Sequence, residues 1–139
     1  MFTYDVQLPE FDWNQYKEMG PIDQAGAIEA FREFPFRELI SKANALGDDA
    51  TAPTIVFRSS SDGSSLWYCM RSSDYREVYM EYDGQTVTVG PIDEPLMVEA
   101  IGSFFSATHA DLYERLAEHP GAVTQRGLWK RLRAIFLTK

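Results

Sequence analysis

The run Tyr75-Arg76-Glu77-Val78-Tyr79-Met80-Glu81-Tyr82-Asp83-Gly84-Gln85-Thr86-Val87-Thr88-Val89 alternates on both sides of an Asp-Gly pair. Val78, Met80 and Tyr82 fall on one side of a strand, opposite Glu77, Tyr79 and Glu81. A period of two is the mark of a half-buried strand. Asp-Gly between two such runs predicts a tight hairpin, because both residues tolerate positive φ. One sheet face is therefore apolar and the other carries tyrosine among carboxylates.

Working outward, Thr54–Arg58 and Leu66–Arg71 are apolar and rich in β-branched or aromatic residues, and Asp62-Gly63 lies between them. With the central run they predict a four-stranded antiparallel meander. In the second of these strands, Leu66, Tyr68 and Met70 take one face, leaving Trp67 to share the other with Tyr79. Phe2 to Leu8 alternates as well and predicts an N-terminal strand ended by Pro9. Glu10 to Gly20 contains Phe11, Trp13 and Tyr16 without a clean period, and reads as loop or an irregular turn of helix.

Helices flank the meander. Asp23 is placed to cap a helix carrying Ala27, Ile28, Phe31 and Phe34. Pro35 breaks it, since proline has no donor and clashes with the preceding turn. A second helix presents Phe36, Leu39, Ile40 and Ala43, and Gly47 stops it. Asp93 caps a third, with Leu96, Met97, Ala100, Ile101, Phe104 and Phe105. A fourth spans about Ala110 to Glu118 with Leu112, Tyr113 and Leu116, ended by Pro120-Gly121. The last segment, Leu128 to Leu137, puts Leu128, Trp129, Leu132, Ile135 and Phe136 on one face. The expected order is β-α-α-β-β-β-β-α-α-α, an α+β fold in one domain over residues 1–139. Residues 124–139 are expected to form a basic amphipathic helix docked on that domain. Helices on one sheet face leave the other free to be wetted or to bind.

Composition agrees with a globular domain: 139 residues, 45% hydrophobic and 24% charged. The start lacks a basic segment followed by an apolar run, and no apolar stretch reaches membrane-spanning length. The lone Cys69 excludes an internal disulfide. Together these features favour a cytoplasmic setting. The net charge of −8 is uneven. All 21 acidic residues lie between Asp5 and Glu118, with eight basic ones, so that body carries −13. The five basic residues after it, Arg126, Lys130, Arg131, Arg133 and Lys139, give the tail +5. An acidic body repels phosphate backbones and attracts basic proteins. Nucleic acid and membrane are accordingly not expected as partners, and the basic tail beside Trp129 reads as docking on the acidic body.

Catalytic signals are missing. Cys69 lies mid-strand with no histidine near it in sequence, and packs as a small hydrophobe. His109, Asp111, Glu114, Glu118 and His119 gather in one segment, but the two histidines are ten residues apart and match no metal motif. Asp48-Asp49 and Asp93-Glu94 are adjacent pairs, which cannot by themselves face each other across a cleft. No G-x-S-x-G and no glycine-rich phosphate loop occurs. The chain is expected to be no enzyme and to use no cofactor or metal. The surface that points to function is the polar side of the central run: Trp67, Asp74, Tyr75, Glu77, Tyr79, Glu81 and Asp83. Tyrosine and tryptophan supply contact area, and carboxylates steer a basic partner.

Four segments, taken together, resemble bacterial immunity proteins, the antidotes to polymorphic toxins and type VI secretion effectors. They are Pro53-Thr54-Ile55-Val56-Phe57, Leu66-Trp67-Tyr68, Val78-Tyr79-Met80-Glu81-Tyr82-Asp83-Gly84 and Val98-Glu99-Ala100-Ile101-Gly102-Ser103-Phe104-Phe105. The likeness lies in a short meander followed by an apolar helix within a small acidic chain, and it transfers no functional residue position by position. It implies tight binding of a cognate toxin in the producing cell, with a basic nuclease-like toxin suiting the charge. An effector-specific chaperone or adaptor and a small enzyme with an unfamiliar site are the competing readings.

Overall fold

A computed structural model of the chain describes residues 1–126. The order is β1 (Phe2–Gln7), β2 (Lys17–Pro21), α1 (Gln24–Glu33), α2 (Phe36–Leu46), β3 (Thr54–Ser59), β4 (Ser65–Met70), β5 (Arg76–Tyr82), β6 (Gln85–Val89), α3 (Glu94–Ser106), α4 (His109–Ala117) and β7 (Ala122–Arg126). The fold is α+β, with the strands in one antiparallel sheet ordered β2-β1-β3-β4-β5-β6-β7.

The meander from β3 to β6 forms as the alternation requires. Asp83 and Gly84 both have positive φ, 49° and 72°, and Tyr82 pairs with Gln85 across them. That is the backbone a two-residue hairpin needs to match strand twist. Asp23 and Asp93 cap α1 and α3, accepting from the backbone N–H of Gly26 and Leu96. Phe34 is extended ahead of Pro35, as steric conflict with a following proline ring demands. Gly47 closes α2 with φ 85°. Thr108 caps α4, so this helix begins one residue earlier than expected.

The structure corrects two readings, and with them the order of elements. Lys17–Pro21 is a strand, where loop or irregular helix was expected; it forms an edge beside β1 with a register shift between Tyr4 and Asp5. It is almost wholly exposed and so lacks the alternation that burial imposes. Residues 122–126, of which 124–126 were assigned to the C-terminal helix, form the strand β7 on β6. The order of elements thus gains a strand after β1 and another after α4. The rest of the expected tail helix, from residue 127 onward, lies outside the described residues.

Parity along the strands sorts the two faces. Val6, Ile55, Phe57, Leu66, Tyr68, Met70, Val78, Met80, Val87 and Val89 are buried in one apolar cluster with Phe31, Phe36, Ile40, Met97, Ile101, Phe104, Leu112 and Leu116 from the four helices. Phe31 and Phe36 meet Tyr68 edge-on at 4.8 and 4.9 Å between ring centroids, tying α1 and α2 to β4. Burying such side chains stabilises by about 1.5–3 kcal/mol each. The four described helices therefore cover one face. The opposite face carries the remaining residues of each strand.

Candidate functional site

Three cross-strand rows make up the face that no helix covers among the described residues. The middle row runs Asp5, Val56, Trp67, Tyr79, Thr88 and Val123. On one side of it stand Thr3, Arg58, Ser65, Glu81, Thr86 and Gln125; on the other, Gln7, Thr54, Cys69 and Glu77. Direct opposition brings Cβ atoms within about 5 Å, so each row is a line of touching side chains.

Two loops rise beside these rows. Residues 8–16 and 47–53 are joined by the Thr51 hydroxyl donating to the Phe11 carbonyl at 2.6 Å and the Thr51 amide donating to the Pro9 carbonyl at 3.1 Å. The Gln7 amide nitrogen donates to the Trp13 carbonyl at 2.7 Å, holding the first loop over β1. Sheet and loops enclose an open trough of about 1180 Å³. Trp13, Tyr16, Trp67 and Tyr79 supply its aromatic surface. Asp12, Asp48, Asp49, Glu77 and Glu81 supply five carboxylates against one guanidinium, Arg71.

The rings form a chain of edge contacts. Trp67 meets Tyr79 at 5.6 Å and 87°, and Tyr16 meets Trp67 at 5.7 Å and 81°. The Trp67 indole N–H donates to the Ser65 hydroxyl at 2.7 Å. The Arg58 guanidinium sits 5.4 Å from the centroids of both Tyr16 and Trp67, and its Nε donates to the Asp5 carboxylate at 2.8 Å. Burial raises the Tyr16 and Tyr79 pKa values; the Glu81 carboxylate adds to the rise at Tyr79.

Two carboxylates of this face are neutralised, Glu77 within the trough and Asp5 beside it. Asp5 and Glu77 are both buried, paired with Arg58 at 2.8 Å and Arg71 at 2.5 Å. The other carboxylates of the trough, Asp12, Asp48, Asp49 and Glu81, are exposed, and no cation among the described residues pairs with them. Among the described residues the trough thus presents aromatic rings below carboxylates that no cation pairs, a setting that receives cations and their apolar stems.

Of the residues expected at the interface, Trp67, Glu77, Tyr79 and Glu81 come together here. Glu77 is not free to steer a partner, since it is buried against Arg71. Tyr75 lies beyond Glu77 with its hydroxyl against Gly90, outside the trough. Asp74 stands in the exposed β4–β5 turn and Asp83 in the β5–β6 hairpin. Trp13, Tyr16, Asp12 and Arg58 join the site without having been singled out. The signal for Trp13 and Tyr16 was their presence in a polar segment without period; Trp13 is 80% exposed. Asp48-Asp49 line the trough as an acidic rim rather than a catalytic pair.

The remaining chemistry-bearing residues are accounted for elsewhere. Cys69 lies on the trough floor opposite Thr54, and burial pushes its thiol pKa up, away from reactivity. His109 packs on Phe104 at 4.5 Å, with Nδ1 2.6 Å from Asp62 and Nε2 2.9 Å from the Phe104 carbonyl. His119 accepts from the Gly121 amide. Among the described residues no group of three or more His, Cys, Asp and Glu side chains converges as metal ligands. No helix among them is long and apolar enough to cross a membrane.

Comparison with protein-family models, with curated proteins and with solved structures finds no match to this chain.

Proposed function

We propose that this chain is an immunity protein that binds and neutralises a cognate toxin or secreted effector in the cytoplasm of the producing cell. One observation carries the reading: among the described residues, the sheet face opposite the four helices holds a trough of rings with four carboxylates that no cation pairs, while the two histidines lie outside it. Rings that keep an indole or phenol partly accessible are typical anchors of protein interfaces. Carboxylates around them accelerate encounter with a basic surface, which suits a nuclease-like toxin. Inhibition then follows from covering the partner, with no reaction of its own.

The test is co-expression. The product of the gene adjacent to this chain's own is expressed with and without this chain, and growth and complex formation are measured. Protection together with co-purification is the expected result; toxicity unchanged by the chain would overturn it. The trough shape also suits an effector-specific adaptor, since a trough accepts a segment as readily as a folded surface. An adaptor leaves the effector's activity intact in the complex, and an activity assay on the purified pair separates the two.

A further inference from the structure

We infer that the trough is a receptor for an extended, arginine-bearing segment of the partner protein, an inference that rests on the partner-binding reading above. The molecule contains its own precedent. Arg58 lies over both Tyr16 and Trp67, 5.4 Å from each ring centroid, with the Asp5 carboxylate closing the arrangement at 2.8 Å. A guanidinium on aromatic faces beside a carboxylate is therefore a state this surface stabilises. Both internal cations of the face are already committed, Arg58 to Asp5 and Arg71 to Glu77. Charge complementarity then fixes the occupant, because Asp12, Asp48, Asp49 and Glu81 remain without a cation among the described residues.

Arginine fits better than lysine for a physical reason. Its planar guanidinium stacks on rings and binds carboxylates through two parallel N–H donors, and it is more weakly hydrated than an ammonium. An extended segment fits better than a helix. Two side chains on one face of an extended chain lie about 6.5–7 Å apart, so alternate arginines can meet the rings and the acidic rim in turn. The trough, at about 1180 Å³, holds several residues of such a segment. The partner chemistry is thus a loop or strand with arginine at alternate positions.

The test uses the full chain and two octapeptides, one alternating arginine with serine and one alternating glutamate with serine, titrated by calorimetry. The arginine peptide is expected to bind and the glutamate peptide not. Glu81→Gln with Trp13→Ala, both at exposed positions, is expected to weaken binding about tenfold with thermal unfolding unchanged. Should that double variant fold poorly, Glu81→Lys alone reverses one rim charge and is expected to have the same effect. Equal binding by wild type and a folded variant overturns the inference. So does binding of free spermine with no binding of the peptide, which would make the occupant a polyamine. Peptide binding only after Lys130→Gln, Arg131→Gln and Arg133→Gln overturns it in favour of the chain's own tail. Protection against a toxin without any peptide binding removes this inference and leaves the immunity reading. Peptide binding without protection does the reverse.

Discussion

Trp67 and Tyr79 stand directly opposite each other on β4 and β5, their ring centroids 5.6 Å apart and their planes at 87°. An edge-to-face pair of this kind is worth about 0.5–1.5 kcal/mol beyond its buried area. A cycle with Trp67→Leu, Tyr79→Leu and the double variant, followed by urea unfolding, is expected to return a coupling energy in that range. Additive effects would show that the rings touch without stabilising each other.

The same pair predicts the response of a complex. Replacing Trp67 by alanine removes the ring that touches Tyr16, Tyr79 and Arg58. At a central interface anchor such a truncation costs about 2 kcal/mol or more. Affinity for the cognate partner is therefore expected to fall at least about thirtyfold. Asp74→Ala, in the exposed turn off the trough, is expected to leave it within about twofold.

Arg58 and Asp5 predict an asymmetry. Asp5 is buried, and its carboxylate accepts from the Arg58 Nε. Arg58→Met leaves that carboxylate without its cation, whereas Asp5→Asn with Arg58→Met removes the charge on both sides. An unsatisfied buried group costs about 1–3 kcal/mol. Chemical denaturation should show the single Arg58→Met change to be the more damaging by about that amount.

Asp62 predicts acid sensitivity. Its carboxyl pKa is lowered: desolvation pushes up, and the hydrogen bonds from His109 and from the Ser64 backbone outweigh it. A carboxylate depressed in the folded state stabilises above its unfolded pKa, near 3.9 for aspartate, and loses that contribution as pH falls through the lower folded value. Unfolding free energy followed from pH 6 downward should therefore decline below about pH 4. Asp62→Asn is expected to flatten that decline and to lower stability at pH 6. A parallel shift of the whole profile would sink this account.

Gly121 predicts a steric effect. A Cβ built there would lie 2.8 Å from the Gly90 carbonyl oxygen, which is backbone and cannot swing aside. Gly121→Ala should destabilise by about 1–3 kcal/mol, the usual cost of overpacking. Gly102→Ala, where the nearest neighbour is the Gln24 amide at 3.6 Å, serves as control.

What could be read beforehand follows burial. Val78, Met80, Leu66 and Tyr68 announce their face because a helix layer covers it, and Asp83-Gly84 announces a hairpin because only a few residues accept its φ angles. The face carrying Trp67 and Tyr79 follows at once, since side chains alternate. Lys17–Pro21 stayed hidden because an exposed edge strand has no apolar side to mark it. Asp12, Trp13 and Asp48 were illegible as a site for another reason. Their meeting depends on Thr51 bonding to Phe11 across forty residues, a contact that no local pattern encodes.

Trp67 is held by Ser65, Tyr16, Tyr79 and Arg58 at once. A ring fixed this way has little rotational freedom left to lose when it is covered, so the anchor is preorganised. The rim carboxylates act earlier, while the partner is still approaching, and salt screens them. The two halves of the trough therefore govern different kinetic steps. Changes at Asp48, Asp49 or Glu81 should alter how fast a complex forms, and changes at Trp67 how long it lasts.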